Sequence, residues 1–301
     1  MTGNAVAIAP PASVHEEWAD DPVMQALAVN PVDLHAPARL GSPFVFASPH
    51  SGRLYPSSFA KATRLDSVTL RKSEDAFVDE LFGAVTELGA PLVAARFPRA
   101  FVDVNRAPNE LDPAMFDAPV DPRAGPRTAR VAAGLGVIPR VVRDGVEIYG
   151  AQLPAREANF RIDQFYRPYH EVLGKLVVAA RAEFGVAIVV DCHSMPPPAK
   201  GHDIVLGDCH GEAASPALSA QVQKLLSDLG FSVARNAPYA GGYTTSLYGR
   251  PEERVHAIQI EVSRSLYLDE HRMEKNHGFA DCKARLRLFA ERLIAARGPW
   301  F

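Results

Sequence analysis

The chain has 301 residues, 47% of them hydrophobic, enough for a large core, and its formal net charge of -3 argues against a broadly basic nucleic-acid surface. No apolar run approaches a membrane span, the N-terminus carries no basic and apolar leader, and the cysteines at 192, 209 and 282 have neither metal-knuckle nor disulfide-framework spacing. The expectation is a soluble, cytoplasmic protein in a reducing compartment, built as one large α/β domain rather than two.

In chain order, residues 1–38 are rich in Ala and Pro and weakly patterned, with a short helix possible over 16–29. They read as an N-terminal arm, loose unless it docks. Residues 39–301 read as a single catalytic α/β domain. The apolar run 44–47 predicts a strand, and the tight Pro- and Gly-bearing loop after it carries His50. Residues 73–88 predict a helix with an apolar stripe at 78, 81, 82, 85 and 88, stopped by Gly89. Ser73 suits the N-cap, and acids in the first turn suit the helix dipole. Asp75 falls on the inward stripe and Glu74 near it. Dipole compensation does not require an inward carboxylate, whereas a third metal ligand beside His50 does. Asp75 is preferred for that place, with Glu74 as the alternative.

Residues 91–95 and 100–104 read as further strands. Arg96, Arg99 and the pair Asn105-Arg106 lie between and after them. An arginine there is either a surface charge or a planar fork for a carboxylate. Residues 107–155 form an insertion dense in Pro, Asp and Arg, with a hairpin predicted around Arg143-Asp144-Gly145. Such an insertion is a lid, a binding loop or a structural flap. A long helix is predicted over 156–184, interrupted or kinked at Pro168. His170, among its aromatics, reads as structural.

The unbroken apolar run 186–190 predicts a strand buried on both faces, the habit of a parallel sheet. Asp191, Cys192, His193 and Ser194 follow, where open α/β sheets bind ligands. His193 reads either as a strand-end histidine hydrogen-bonded to a neighbour or, with His50 at the end of a neighbouring parallel strand, as half of a metal pair. Further on, a strand is expected over 203–207, a helix over 214–229 and a strand over 231–234. His202, Cys209 and His210 complete no site and read as loop residues. The Gly241-Gly242 pair allows close backbone approach to a ligand or is simply a turn, and it does not read as the start of a helix after a strand. The strand 257–262 carries Glu261 near its carboxyl end. A buried carboxylate is costly unless paired or functional. It is therefore either a salt-bridge partner of Arg264 or a general base with a raised pKa. A closing helix is predicted over 269–296.

Taken together, Ser48-Pro49-His50-Ser51-Gly52, the Asp75 segment, Phe101 to Arg106, Asp191 to Ser194, Gly241 to Thr244 and Gln259-Ile260-Glu261, in this order, resemble the N-formylglutamate amidohydrolase family. The resemblance runs from about residue 40 to 295 and implies a fold similar to zinc carboxypeptidases and aspartoacylases. That fold is a mixed, largely parallel sheet between helices. It also implies hydrolysis of N-formyl-L-glutamate to formate and glutamate in histidine degradation. It makes His50, an acid on the following segment and His193 the ligands of one zinc per chain. Related carboxypeptidases take that acid three residues after the first histidine, but position 53 here is Arg, so Asp75 takes the place. Two histidines and one carboxylate leave zinc an open position for water. Another divalent metal is compatible with the same ligands. By the same resemblance Glu261 is base and proton shuttle, and Arg99 polarises the scissile carbonyl. Asn105, Arg106, Gly242, Tyr243, Thr244 and Arg264 contact the substrate. Competing readings are a hydrolase of another N-acyl amino acid, a carboxypeptidase-type enzyme, a Cys192 nucleophile with His193 as base, and a metal- or ligand-binding protein without turnover.

Overall fold

The computed structural model of the chain describes residues 18, 20–120, 125, 128–142, 145–197, 201–296 and 298. Its centre is a seven-stranded sheet in the order β1-β3-β2-β4-β7-β5-β6. The strands are β1 (Val32–His35), β2 (Phe44–Ser48), β3 (Leu92–Ala95), β4 (Ala187–Met195), β5 (Ile204–Gly207), β6 (Val233–Arg235) and β7 (Val255–Ser263). The inner strands β3, β2, β4 and β7 are mutually parallel, while β1 and β5 run antiparallel to their inner neighbours. Strands β2, β3, β4 and β7 are buried along their whole length, as continuous apolar runs require of a sheet covered on both faces.

Two apolar layers cover the sheet. One contains Val45, Val93, Val189 and Ala257 and packs under the helix α3 (Arg167–Phe184), through Tyr169, Leu173, Val177 and Ala180. Their spacing of three or four residues puts them on one helical face. The other contains Phe44, Phe46, Ile188, Val190, Cys192 and Ile258. It packs under α2 (Val78–Phe82), α4 (Pro216–Asp228) and α6 (Phe279–Ala295). Alternate residues of one strand thus enter opposite layers. Among the described residues no helix is long and apolar enough to cross a membrane.

Several elements differ from expectation. Residues 1–17 and 19 of the expected arm lie outside the described residues. From the same N-terminal segment, the helix α1 (Pro22–Val29) buries Met24 and Leu27, and β1 completes the sheet edge. The expected helix over 73–88 begins only at Val78, because Phe77 takes a left-handed backbone (φ 64°), and it tightens into a 3-10 turn from Gly83 to Leu88. Residues 100–104 are buried but form turns rather than a strand. Among the described residues of 137–149, isolated bridges such as Val141 with Glu147 stand where the sequence predicts a regular hairpin; Arg143 and Asp144 of the expected turn lie outside the described residues. Pro168 does not break the long helix: it sits in the first turn of α3, after Arg156–Arg161 and a π-helical turn Ile162–Tyr166. Gly242 does open a helix, α5 (Tyr243–Tyr248). The closing helix starts at Phe279, after a two-stranded pair Leu268–Asp269 and Glu274–Lys275.

Candidate active site

The carboxyl ends of β2, β4 and β7 open into a cavity of about 530 Å³. On the α3 side of the sheet, β4 presents Ala187, Val189, Asp191 and His193 in succession, and β7 presents Val255, Ala257, Gln259 and Glu261. Each strand is therefore apolar where it faces α3 and polar where it leaves that cover. His193 and Glu261 are register partners on the two strands. His50 enters from the loop after β2.

His50, Asp75 and His193, all buried, offer ligand atoms within 4.8 Å of one another. Asp75 Oδ2 lies 2.9 Å from His193 Nδ1 and 3.3 Å from His50 Nδ1. Ligand atoms about 2.0–2.1 Å from a tetrahedral zinc would stand roughly 3.4 Å apart, so the donor set fits such an ion in kind, and the two distances to Asp75 fit it in spacing. Asp75 is brought there by a backbone contact, its N–H donating to the His50 carbonyl at 3.0 Å. Its other oxygen, Oδ1, accepts from Ser194 Oγ and from Arg264 Nη2, each at 3.2 Å. Glu74 points elsewhere: it accepts from the Tyr55 hydroxyl at 2.6 Å and from Arg71 Nε at 3.0 Å.

Two further carboxylates face the outer nitrogens of the histidines. Asp103 Oδ1 lies 2.7 Å from His50 Nε2, and Asp191 Oδ2 lies 3.0 Å from His193 Nε2. Asp103 is hydrogen-bonded to His50 and so selects the tautomer that turns the other ring nitrogen toward a metal, whereas neither oxygen of Asp191 makes a hydrogen bond among the described residues and His193 Nε2 also faces the Asn105 amide nitrogen at 3.1 Å. The sequence reading assigned no role to either. Asp103 interrupts an apolar run as Glu261 does, and Asp191 stands two residues before His193 on one strand face. Both were signals of the same kind as those used for Glu261. Asp103 also binds Arg99 Nη2 at 2.6 Å through Oδ2 and the Asn105 N–H at 2.9 Å through Oδ1. Burial opposes its ionisation, but Arg99, His50 and Arg106 outweigh this and hold its carboxyl well below the ordinary range.

Glu261 is only 7% exposed and accepts from Gln259 Nε2 at 2.8 Å. Burial pushes its carboxyl up to about 7, with His193 and Arg99 opposing and Asp75 and Asp191 adding to the rise. Arg264 does not pair with it; it binds Asp75, the Glu74 carbonyl and Glu270.

His50, Asp75, Arg99, Asn105, Arg106, His193, Gly242, Glu261 and Arg264 all line the one cavity. Tyr243 and Thr244 are not brought into that lining. Tyr243 lines an adjoining cavity of about 340 Å³, and the buried Thr244 donates its N–H to Asn105 Oδ1 at 2.8 Å. Gly242 has a steric reason: a Cβ there would collide with the Asn105 amide. His170 is structural, bound to the Val104 carbonyl at 2.8 Å and set 3.2 Å from the Tyr248 hydroxyl. Cys192 faces the opposite core layer, is fully buried, and has its thiol pKa raised well above the ordinary value by burial.

A polar cavity at the carboxyl ends of parallel strands, with a His-Asp-His cluster and a desolvated carboxylate, is the layout of an α/β enzyme with a candidate metal centre. The sequence pattern of N-formylglutamate amidohydrolases matches residues 42–268, and the chain belongs to that family. The N-formylglutamate deformylase of Pseudomonas aeruginosa is 30% identical over 238 residues, spanning 76% of this chain and 83% of that protein. The Pseudomonas putida enzyme of the same name is 28% identical over 237 residues, spanning 76% and 82%. The crystal structure of N-formylglutamate amidohydrolase from Ralstonia eutropha JMP134 is similar with a TM-score of 0.83 at 36% identity, covering 88% of this chain and 97% of that one.

Proposed function

We propose that the chain hydrolyses N-formyl-L-glutamate to formate and L-glutamate at one divalent-metal centre, zinc in the first instance, held by His50, Asp75 and His193. The observation that carries this reading is the convergence of those three donors beside a desolvated Glu261 in one cavity. The names of the two Pseudomonas relatives support the choice of substrate. A bound divalent cation supplies an acidified water and polarises the formyl oxygen.

The chain's own groups account for the rest. Glu261 takes the proton of the attacking water and delivers it to the departing amine nitrogen, a task suited to a carboxyl whose pKa lies near neutrality. Asp103 orients the His50 imidazole, and the Asp191 carboxylate places a negative charge 3.0 Å from His193 Nε2. Arg106, set beside Asn105 and short of a close carboxylate partner, takes the substrate's α-carboxylate. Arg99, fixed by Asp103, is the cation available to the carbonyl oxygen as charge develops. The cytoplasmic location expected from the sequence, and a place in histidine degradation, belong to the same proposal.

The test is formate release from N-formyl-L-glutamate by purified protein of measured metal content, before and after chelation. Release that chelation abolishes, with about one metal per chain, is expected. A metal-loaded protein that releases no formate would overturn the substrate, and a panel of other N-acyl amino acids would then locate the true one. Turnover by metal-free protein would overturn the centre.

A further inference from the structure

Five cationic side chains line the cavity: Lys72, Arg99, Arg106, Arg130 and Arg264. Two are committed to carboxylates. Arg264 binds Asp75 and Glu270, and Arg99 binds Asp103. Arg106 gives its close hydrogen bonds to neutral carbonyls, those of Leu135 and Asn105, and stands 4.0 Å from Asp103. Arg130 has no ion pair or hydrogen bond through its guanidinium among the described residues. It nevertheless lies close enough to Arg106 for the two like charges to repel. Among the described residues the cavity therefore holds two guanidiniums with no carboxylate closer than 4.0 Å, the half-buried Arg106 and the exposed Arg130, and a monocarboxylate would pair with only one of them.

Arg130 is held on a built support. It belongs to the helical turn Ala129–Ala132, capped by Thr128, whose Oγ1 accepts from the Val131 N–H at 3.2 Å. The same hydroxyl donates to Glu110 at 3.0 Å, and Glu110 accepts from the Ala107 N–H at 3.1 Å. This ties the turn to the residue next to Arg106. Arg130 is also shared, with Gly241 and Gly242, between the main cavity and the adjoining one of about 340 Å³. Arg130 and Gly242 therefore border the same passage between the two cavities.

We infer that Arg130 is a specificity-determining residue: it pairs with the side-chain carboxylate of an acidic N-acyl amino acid, while Asn105 and Arg106 hold the α-carboxylate. This rests on the function proposed above and explains why a dicarboxylate is the substrate. Lys72 is the rival cation on the cavity wall, but an ammonium lacks the planar fork that matches a carboxylate.

The experiment compares the parent enzyme, Arg130→Met and Lys72→Met on N-formyl-L-glutamate and on its neutral isostere N-formyl-L-glutamine. Calorimetric binding of L-glutamate and L-glutamine to the metal-loaded proteins runs alongside. Losing a charge-assisted pair should lower kcat/KM for the glutamate substrate about 10- to 100-fold in Arg130→Met, mainly through KM. The glutamine substrate should change less than about 3-fold, because it makes no such pair. Equal loss on both substrates, no loss on either, or a collapse of the ratio in Lys72→Met alone would overturn the assignment. If the parent hydrolyses neither compound, the proposed reaction fails, and the binding data decide the inference separately. A preference for glutamate that disappears in Arg130→Met supports it, and no preference in the parent refutes it.

Discussion

His50 Nε2 and Asp103 Oδ1 are 2.7 Å apart, and the same carboxylate holds Arg99 at 2.6 Å through its other oxygen. One buried side chain thus connects a candidate metal ligand to a candidate substrate cation. With Nε2–H donating to Asp103, Nδ1 of His50 is left as the lone-pair nitrogen facing Asp75 and His193. The Asp103→Asn variant keeps the volume and removes the charge. Its zinc affinity should fall about 10- to 100-fold, as is usual when a partner of a metal-bound histidine is lost. Competition with a chromophoric chelator measures this directly. Parent-like affinity in a folded variant would remove Asp103 from the centre.

Glu261→Gln should retain metal and lose about 100- to 10,000-fold in kcat, the range for a positioned proton carrier. In the parent, kcat/KM should rise with pH if Glu261 is the base proposed above, because it would act as a carboxylate. The acid limb should fall between the ordinary 4.5 and about 7, since a bound cation pulls the carboxyl back down. The sign for stability is opposite. A carboxyl raised on folding contributes its full stabilisation below pH 4.5, and that contribution is lost as pH rises through about 7. Metal-free Glu261→Gln should therefore match the parent near pH 4.5 and exceed it above pH 7, by up to about 3 kcal/mol for a shift of this size. Urea melts at the two pH values settle it; equal parental and variant stability at both would contradict the buried charge.

Much of the centre was legible because the sheet is covered on both faces. Buried strands need apolar residues, so the polar residues that end the run of β4, or interrupt β7 at Glu261, stand out against a cost that only function or pairing offsets. Asp75 was legible for a different reason from the one that holds. The spacing places it on a helical stripe, yet the left-handed Phe77 starts the helix later, and Asp75 reaches His50 through a contact between residues 25 apart. Periodicity reports only local partners. The same limit explains residues 100–104. Their apolar run is buried as a strand would be, but Asp103 gives its N–H to Val137 of the insertion, and the segment joins no sheet. Tyr243 and Thr244 follow a glycine pair whose helix start is set by packing against Asn105, a residue distant in sequence.

Gly242→Ala tests that packing. A methyl group at this position would strike the Asn105 amide, which itself stands 3.1 Å from His193 Nε2. Either α5 or Asn105 must shift, at a cost of about 1–3 kcal/mol for overpacking a filled site. Because Asn105 precedes Arg106, the variant should show a higher KM for substrate with metal content unchanged. Unchanged KM, with the melting temperature lowered, would make the contact purely structural.

Cys192→Ala separates the two chemistries that β4 could support. Cys192 lies between Asp191 and His193 in sequence, but adjacent strand residues point to opposite faces. It belongs to the same core layer as Val190, Ile260 and Leu286, the one under α6, and does not line the cavity. Burial raises the thiol pKa well above its ordinary value, so the nucleophilic thiolate is suppressed. The substitution should leave kcat/KM for formate release within about 2-fold, while removing a buried sulfur lowers stability by about 1–2 kcal/mol. The parent should also withstand iodoacetamide at the time scale of turnover without losing activity. A Cys192→Ala protein that folds, holds its metal and releases no formate would reverse the assignment and make the thiol the nucleophile.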